Sequence, residues 1–247
     1  MEAIRHGERQ FAYSIVRRNR RKTVGIAVKT ASQVVVYAPL WVTEGEIGSI
    51  VRRKAPWIIR RLEKLSEFEA ITNSREYVSG EQLLYLGRAY RLKVLYEQNR
   101  RQTNITVKGR RICITLGASS NGREEKAIIK TALKRWYIRQ AEETINQRMT
   151  RLASQLGVLP TMVRIKDQKT RWGSCSSKGT VHFNWRIVMA PVSVLDYVII
   201  HELCHLRVRN HSQEFWKLVS QNLLEYKSKR DWLKKNSPLL HSICNLF

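Results

Sequence analysis

HELCHLRVRNH, residues 201–211, places three of the chain's six histidines and one glutamate within eleven positions. His201 and His205 stand four apart, and on an α-helix that spacing projects both imidazoles from one face. A single tetrahedral zinc ion asks this of two ligands. Glu202 follows the first histidine by one position, which sets a carboxylate beside the metal where it can act as general base. The run VLDYVIIHELCHLRV around these residues reads as a helix, and Ser193 with Asp196 three residues later reads as its capping box.

A third donor, His211, lies six residues past His205. Asn210 tolerates the left-handed backbone that ends a helix and turns the chain, so it is expected to bring His211 back toward the other two. Metzincins share this spacing, but there a glycine makes the turn where Val208 stands here, and no methionine follows Met189 to form their Met-turn. A ligand from the next helix would instead be Glu214 or Glu225; His211 needs the shorter reach. The expected metal site is therefore Zn2+ on His201, His205 and His211, with Glu202 as the catalytic residue. Three protein ligands leave one position open, the arrangement of a catalytic zinc. Phe215 and Trp216 are expected to pack the following helix against the first and so to fix His211.

Residues 170–216, TRWGSCSSKGTVHFNWRIVMAPVSVLDYVIIHELCHLRVRNHSQEFW, resemble the signature of the YgjP-like predicted metallopeptidase family, which is related to the WLM and SprT zincins. YVSGEQLLYLGRAYRL (77–92) and KAPWIIRRLEK (54–64) are similar to that family as well, so the likeness runs from about Phe11 to Leu233. The resemblance implies a zincin-like fold, histidine ligands matching His201, His205 and His211, and a catalytic glutamate matching Glu202.

The loop Lys169–Ser177 is polar and basic and precedes the strand-like HFNWRIV that leads to the histidine helix. In zincins an edge strand beside the metal helix aligns the substrate backbone, so loop and strand are candidates to line the cleft. Arg171 is a candidate to stabilise an oxyanion or bind a phosphate. The competing reading makes the loop a structural turn, with Trp172 and Trp185 in the core and Arg171 paired to a carboxylate. Cys204 falls between the two ligands but points elsewhere on the helix, as a small buried residue.

At 247 residues and 43% hydrophobic, the chain is long enough for one large or two small globular domains. Before the histidine helix the pattern is strand-rich. YSIVRR, TVGIAVKT and QVVVYAP alternate and favour β-branched residues, and further strands follow in residues 77–97 and 104–116. A helix is predicted over about Thr43–Phe68, opened by Thr43 and Glu46 and broken in two by Pro56. A longer one spans 123–156, with an apolar stripe of Ile128, Leu133, Trp136, Tyr137, Ile145, Met149 and Leu152. The fold class is α+β, divided into a β-rich N-terminal part with one helix (1–122) and a zincin-like catalytic domain (123–247).

The charged N-terminus lacks an apolar leader and no window is apolar enough to span a bilayer, so a cytoplasmic protein with no membrane partner is expected. The four cysteines form no close pair and are expected to stay thiols. The net charge of +25 is spread along the chain and makes a nucleotide or nucleic-acid partner a second expectation. Three functions follow. The first is a zinc hydrolase acting on peptides or unfolded proteins. The second is a metal-dependent nucleotide phosphohydrolase. The third is a basic nucleic-acid-binding module with structural zinc, against which stands Glu202, a residue that a structural site has no reason to place beside a ligand.

Overall fold

The computed structural model describes residues 2–73, 76–98, 102–117, 122–168 and 170–242. The chain is a mixed α and β protein with three sheets and five helices among the described residues, in two compact units, Met1–Ser74 and Arg75–Phe247. No helix of the described residues is long and apolar enough to cross a membrane.

In the first unit, strands β1 (Glu2–His6), β2 (Arg9–Arg17), β3 (Gly25–Thr30) and β4 (Gln33–Ala38) form a sheet in the order β1-β2-β4-β3, packed with helix α1 (Glu44–Asn73). Alternation in β2 and β4 sends Phe11, Tyr13, Val34 and Val36 into the core. The capping box at the start of α1 is formed: Thr43 N–H donates to Glu46 Oε2 at 2.9 Å and Glu46 N–H to Thr43 Oγ1 at 3.3 Å. The break expected at Pro56 is absent, and α1 runs as one helix with the proline inside. Ile47, Val51, Ala55 and Ile58 make one unbroken buried stripe through that point, and a second helix direction would expose half of it. Strand β1 has little alternation to mark it, with polar residues at three of its five positions and only Ile4 buried.

In the second unit, β5 (Gln82–Tyr85), β6 (Arg88–Glu97), β7 (Asn104–Lys108) and β8 (Arg111–Gly117) form a sheet in the order β5-β6-β8-β7. Helix α2 (Gly122–Leu156) follows, then β9 (Met162–Lys166), β10 (Gly173–Cys175) and β11 (Thr180–Asn184) in the order β10-β11-β9. A 3-10 turn (Trp185–Met189) and helices α3 (Val192–Cys204), α4 (Gln213–Asn222) and α5 (Tyr226–Ser242) complete it. One apolar core joins Ile112 and Ile114 of β8, Leu133, Tyr137 and Ile145 of α2, and Leu195, Ile199 and Leu203 of α3. The stripe expected on α2 is buried except at Ile128, which is 40% exposed while its neighbour Ile129 is buried.

The contact boundary falls after Ser74, not after residue 122 where the sequence reading put it. The strands β5–β8 belong with the histidine helix for physical reasons visible at their turn. Leu86 N–H donates to Val188 O at 2.8 Å and Gly87 N–H to Met189 O at 3.2 Å, while Tyr137 Oη donates to Leu84 O at 2.8 Å. Gly87 has φ +74°, and a Cβ there would lie 2.6 Å from Pro191 Cα, at the entrance to α3.

The strand-like run HFNWRIV (182–188) is a strand only as far as Asn184. Asn184 Oδ1 accepts from Arg186 N–H and caps the 3-10 turn, in which all five residues are buried, so no alternation was there to read.

Candidate metal centre

Helix α3 is apolar on nearly every side because it crosses the core of its unit. Its first residues are not held by the expected Ser193–Asp196 box. Pro191 precedes the helix without a side-chain cap, and Asp196 is gripped by the Arg148 guanidinium through Nε and Nη2. The helix is thereby tied to α2 one turn before His201.

Regular helix stops at Cys204, and His205 occupies the C-cap position. Leu206 N–H bonds to Leu203 O at 3.0 Å, and Val208 N–H to Cys204 O at 2.9 Å. The turn is thus made by 205–208 with ordinary negative φ. Asn210 is not left-handed: among the described non-glycine residues only Tyr77 and Leu86 have positive φ. Asn210 instead accepts from Ser212 N–H at 3.3 Å, and Ser212 caps α4 by accepting from Phe215 N–H. His211 is returned by the start of α4.

His201, His205 and His211 each offer a ring nitrogen, and the three nitrogens lie within 4.8 Å of one another. His201 Nε2 and His211 Nε2 face each other at 3.0 Å. His205 Nδ1 is engaged with Val208 O at 3.0 Å, which leaves its Nε2 for the cluster. Nitrogens bound to one tetrahedral zinc at about 2.0–2.1 Å stand about 3.3 Å apart, so the cluster has the dimensions of a three-histidine site. The rings are also electrically suited. Burial, with the neighbouring His205 and His211, pushes the His201 pKa down to about 3, and burial lowers that of His205, so both imidazoles are held neutral as ligands must be. Among the described residues no other group of histidine, cysteine or acidic side chains has this arrangement. Glu225, one of the alternative ligands, is engaged instead by Lys229 at 2.8 Å.

Phe215 sets the angles between the rings. It is fully buried, and its ring centroid lies 5.0, 4.5 and 4.8 Å from those of His201, His205 and His211. Trp216 stacks on His211 at 5.7 Å and on Tyr226 at 5.4 Å, fixing the third histidine from its open side. The sequence placed these two aromatics against the first helix; it did not show that one ring touches all three histidines.

Glu202 is 5% exposed, and its Oε2 has no hydrogen-bond partner among the described residues. Burial pushes its pKa up to about 8, with Arg171 acting in the opposite direction. The carboxyl is walled by β10: a Cβ added to Gly173 would lie 2.5 Å from Glu202 Oε1 and 2.6 Å from its Cγ. Gly173 therefore belongs to the site, although nothing in the sequence marked it beyond its place in WGSC. Gly173→Ala is expected to force β10 and α3 apart at a cost of about 1–3 kcal/mol. That should lower the melting temperature by roughly 2–10 °C for a chain of this size. An unchanged melting curve would mean that the Glu202 side chain turns aside at no cost.

Arg171 is exposed, and its segment is pinned from behind by Asn184 Nδ2, which donates to Gln168 O at 2.6 Å and to Arg171 O at 3.0 Å. Lys169, in the same loop, lies outside the described residues. Trp172 is half-buried and donates from Nε1 to Ser237 Oγ at 2.8 Å, while Trp185 is fully buried. Burial raises the thiol pKa of Cys175, and that of Cys204 to about 12, so neither has a reactive thiolate. Cys244 lies outside the described residues.

A family model for the YgjP-like metallopeptidase domain matches residues 22–236. Two solved structures of metallopeptidase zymogens resemble part of the chain. That of Pyrococcus abyssi abylysin has 24% identity and a TM-score of 0.34, over 37% of this chain and 93% of its own. That of Methanocaldococcus jannaschii jannalysin has 24% identity and a TM-score of 0.34, over 38% of this chain and 96% of its own. No curated protein matches the chain.

Proposed function

The chain belongs to the YgjP-like metallopeptidase family of metal-dependent hydrolases, and from that premise we propose that it is a zinc peptidase with a zincin-like catalytic half. The observation that carries this reading is the set of three histidine nitrogens within 4.8 Å of one another, with the buried carboxyl of Glu202 on the adjoining position of the same helix. His201, His205 and His211 would hold the ion. Zinc held there supplies Lewis acidity to the scissile carbonyl and to the attacking water.

The remaining chemistry belongs to the chain. Glu202 takes a proton from the attacking water and hands it to the leaving amine. A buried carboxyl with a pKa near neutrality in the metal-free chain suits a group that must both accept and donate. Arg171 is exposed and acts electrostatically on Glu202, which makes it a candidate to bind substrate beside that carboxyl. Among the described residues β10 pairs only with β11, an edge position suited to aligning an extended peptide. The free thiols of Cys113, Cys175 and Cys204 fit a cytoplasmic setting. The nucleotide and nucleic-acid readings rest on net charge and on Arg171 as a phosphate ligand, and the family match lends them no support.

The test is a screen of the purified chain against unfolded proteins and quenched-fluorescence peptides. Cleavage is expected, with loss on treatment with a chelator and return on adding zinc. Failure to cleave any of them with zinc bound would remove the peptidase assignment.

A further inference from the structure

Three arginines from separate segments stand beside the histidine cluster or the residues that touch it. Arg171 stands two residues before Gly173, the residue in contact with Glu202, and is exposed. Arg209 lies between the second and third histidines. Its Nη1 donates to Ser176 O at 2.7 Å and its Nη2 to Ser177 O at 3.1 Å, with Cys175 Sγ 3.7 Å from Nη1. These are neutral partners, so the guanidinium is positioned without being neutralised. Arg230, from α5, sits with Cζ 5.1 Å from the Trp216 ring, the same ring that stacks on His211. Among the described residues its acidic contact is Asp231 at 3.9 Å, an exposed pair on adjacent residues. Exposed acids stand nearby as well: Glu214, in the first turn of α4, Asp231, and Glu225, which is held by Lys229.

We propose that this site selects acidic peptides, with Arg171, Arg209 and Arg230 drawing carboxylate side chains to the segments flanking the scissile bond. The proposal rests on the reading of the site as a peptidase and names its substrate class. Two features support it. The three guanidiniums come from separate segments, Arg171 acting on Glu202, Arg209 held at Ser176 and Ser177, and Arg230 on the Trp216 ring that stacks on His211, so an extended chain bound at the cluster would meet more than one. Arg209 and Arg230 are also held, by backbone carbonyls and by an aromatic face, which reduces the ordering cost of meeting a carboxylate. Exposed charge pairs are individually modest, a factor of about 1.5–5 each, so three together give a preference of about tenfold. Such a preference acts at long range and weakens as salt shortens the screening length.

The experiment uses two quenched-fluorescence peptides identical except that aspartates and glutamates flanking the cleavage point in one are asparagines and glutamines in the other. With the zinc-loaded chain, kcat/KM for the acidic peptide is expected to exceed that of its neutral twin by about tenfold at low salt, converging at high salt. Arg230→Gln is expected to cut the ratio by about 1.5- to fivefold. Fluorescence anisotropy with Glu202→Gln chain measures the same selectivity in binding, without turnover. Equal cleavage of both twins, or a ratio untouched by Arg230→Gln and by salt, overturns the inference and leaves the peptidase reading standing. Selective binding of the acidic peptide with no cleavage of either twin by the zinc-loaded parent supports the charge selectivity and sinks the peptidase reading instead.

Discussion

Glu202→Gln is expected to keep about one zinc per chain and to hydrolyse peptides about 10²–10⁴-fold more slowly than the parent, with a larger loss if the same group also protonates the leaving amine. Amide and carboxyl have nearly the same size, so the contact with Gly173 survives, and Glu202 is not among the three clustered nitrogen donors. What is lost is a site able to accept the proton. Near-normal turnover by the variant would end the role given to Glu202, whatever its zinc content.

The same substitution has a second signature in the metal-free chain. Folded Glu202 holds its proton up to about pH 8, whereas an ordinary glutamate loses it near 4.5. The folded state binds the proton more tightly, so the stability of the metal-free parent is greatest below pH 4.5 as far as this group is concerned, and declines as pH rises toward 8. Glu202→Gln removes that titration. The metal-free variant should therefore gain stability over the metal-free parent as pH is raised through this range, a crossover that denaturant titrations at several pH values would detect. Loss of catalysis combined with gain of apo stability is the behaviour of a carboxyl buried for its chemistry and not for the fold.

The parts of this molecule that could be read from sequence are those governed by local periodicity. The four-residue spacing of His201 and His205 needs only a helix, and α3 is one. The Thr43–Glu46 box and the ends of α2 are likewise local, and the structure has them where the residues say. Where tertiary packing decides, periodicity was misleading. Pro56 does not break α1, because a buried stripe on both sides outweighs one lost backbone hydrogen bond. Asp196 does not cap α3, because Arg148, distant in sequence, takes its carboxylate. Strands β5–β8 join the second unit through the Gly87 turn against Pro191, a contact between residues a hundred positions apart. At the site, the three histidines were legible as a set, but the means of gathering them was not. Asn210 turns nothing, and the gathering is done by the C-cap at His205, the Ser212 cap and the Phe215 ring.

That manner of gathering sets the order in which the ligands can be lost. His201 and His205 belong to one helix and its cap, held by the core; His211 is exposed and is returned by a separate helix. His201→Ala and His205→Ala are each expected to reduce bound zinc from about one per chain to below about 0.1, because each breaks the helix-held pair and leaves one core-held histidine with the exposed His211. His211→Ala should weaken zinc binding while leaving the helical pair in register, so it should reload at higher zinc concentration. Stability supplies an independent readout. Zinc at about 1,000 times its dissociation constant stabilises the folded parent by about 4 kcal/mol, a gain that requires binding to the folded state alone. His201→Ala and His205→Ala should lose this zinc-dependent rise in melting temperature, and His211→Ala should show it only at raised zinc. Comparing each variant with and without zinc separates loss of a ligand from damage to packing around Phe215, because packing damage lowers both melting curves together. Unchanged zinc content in both helix variants, measured by elemental analysis on folded protein, would mean that the ion is held elsewhere.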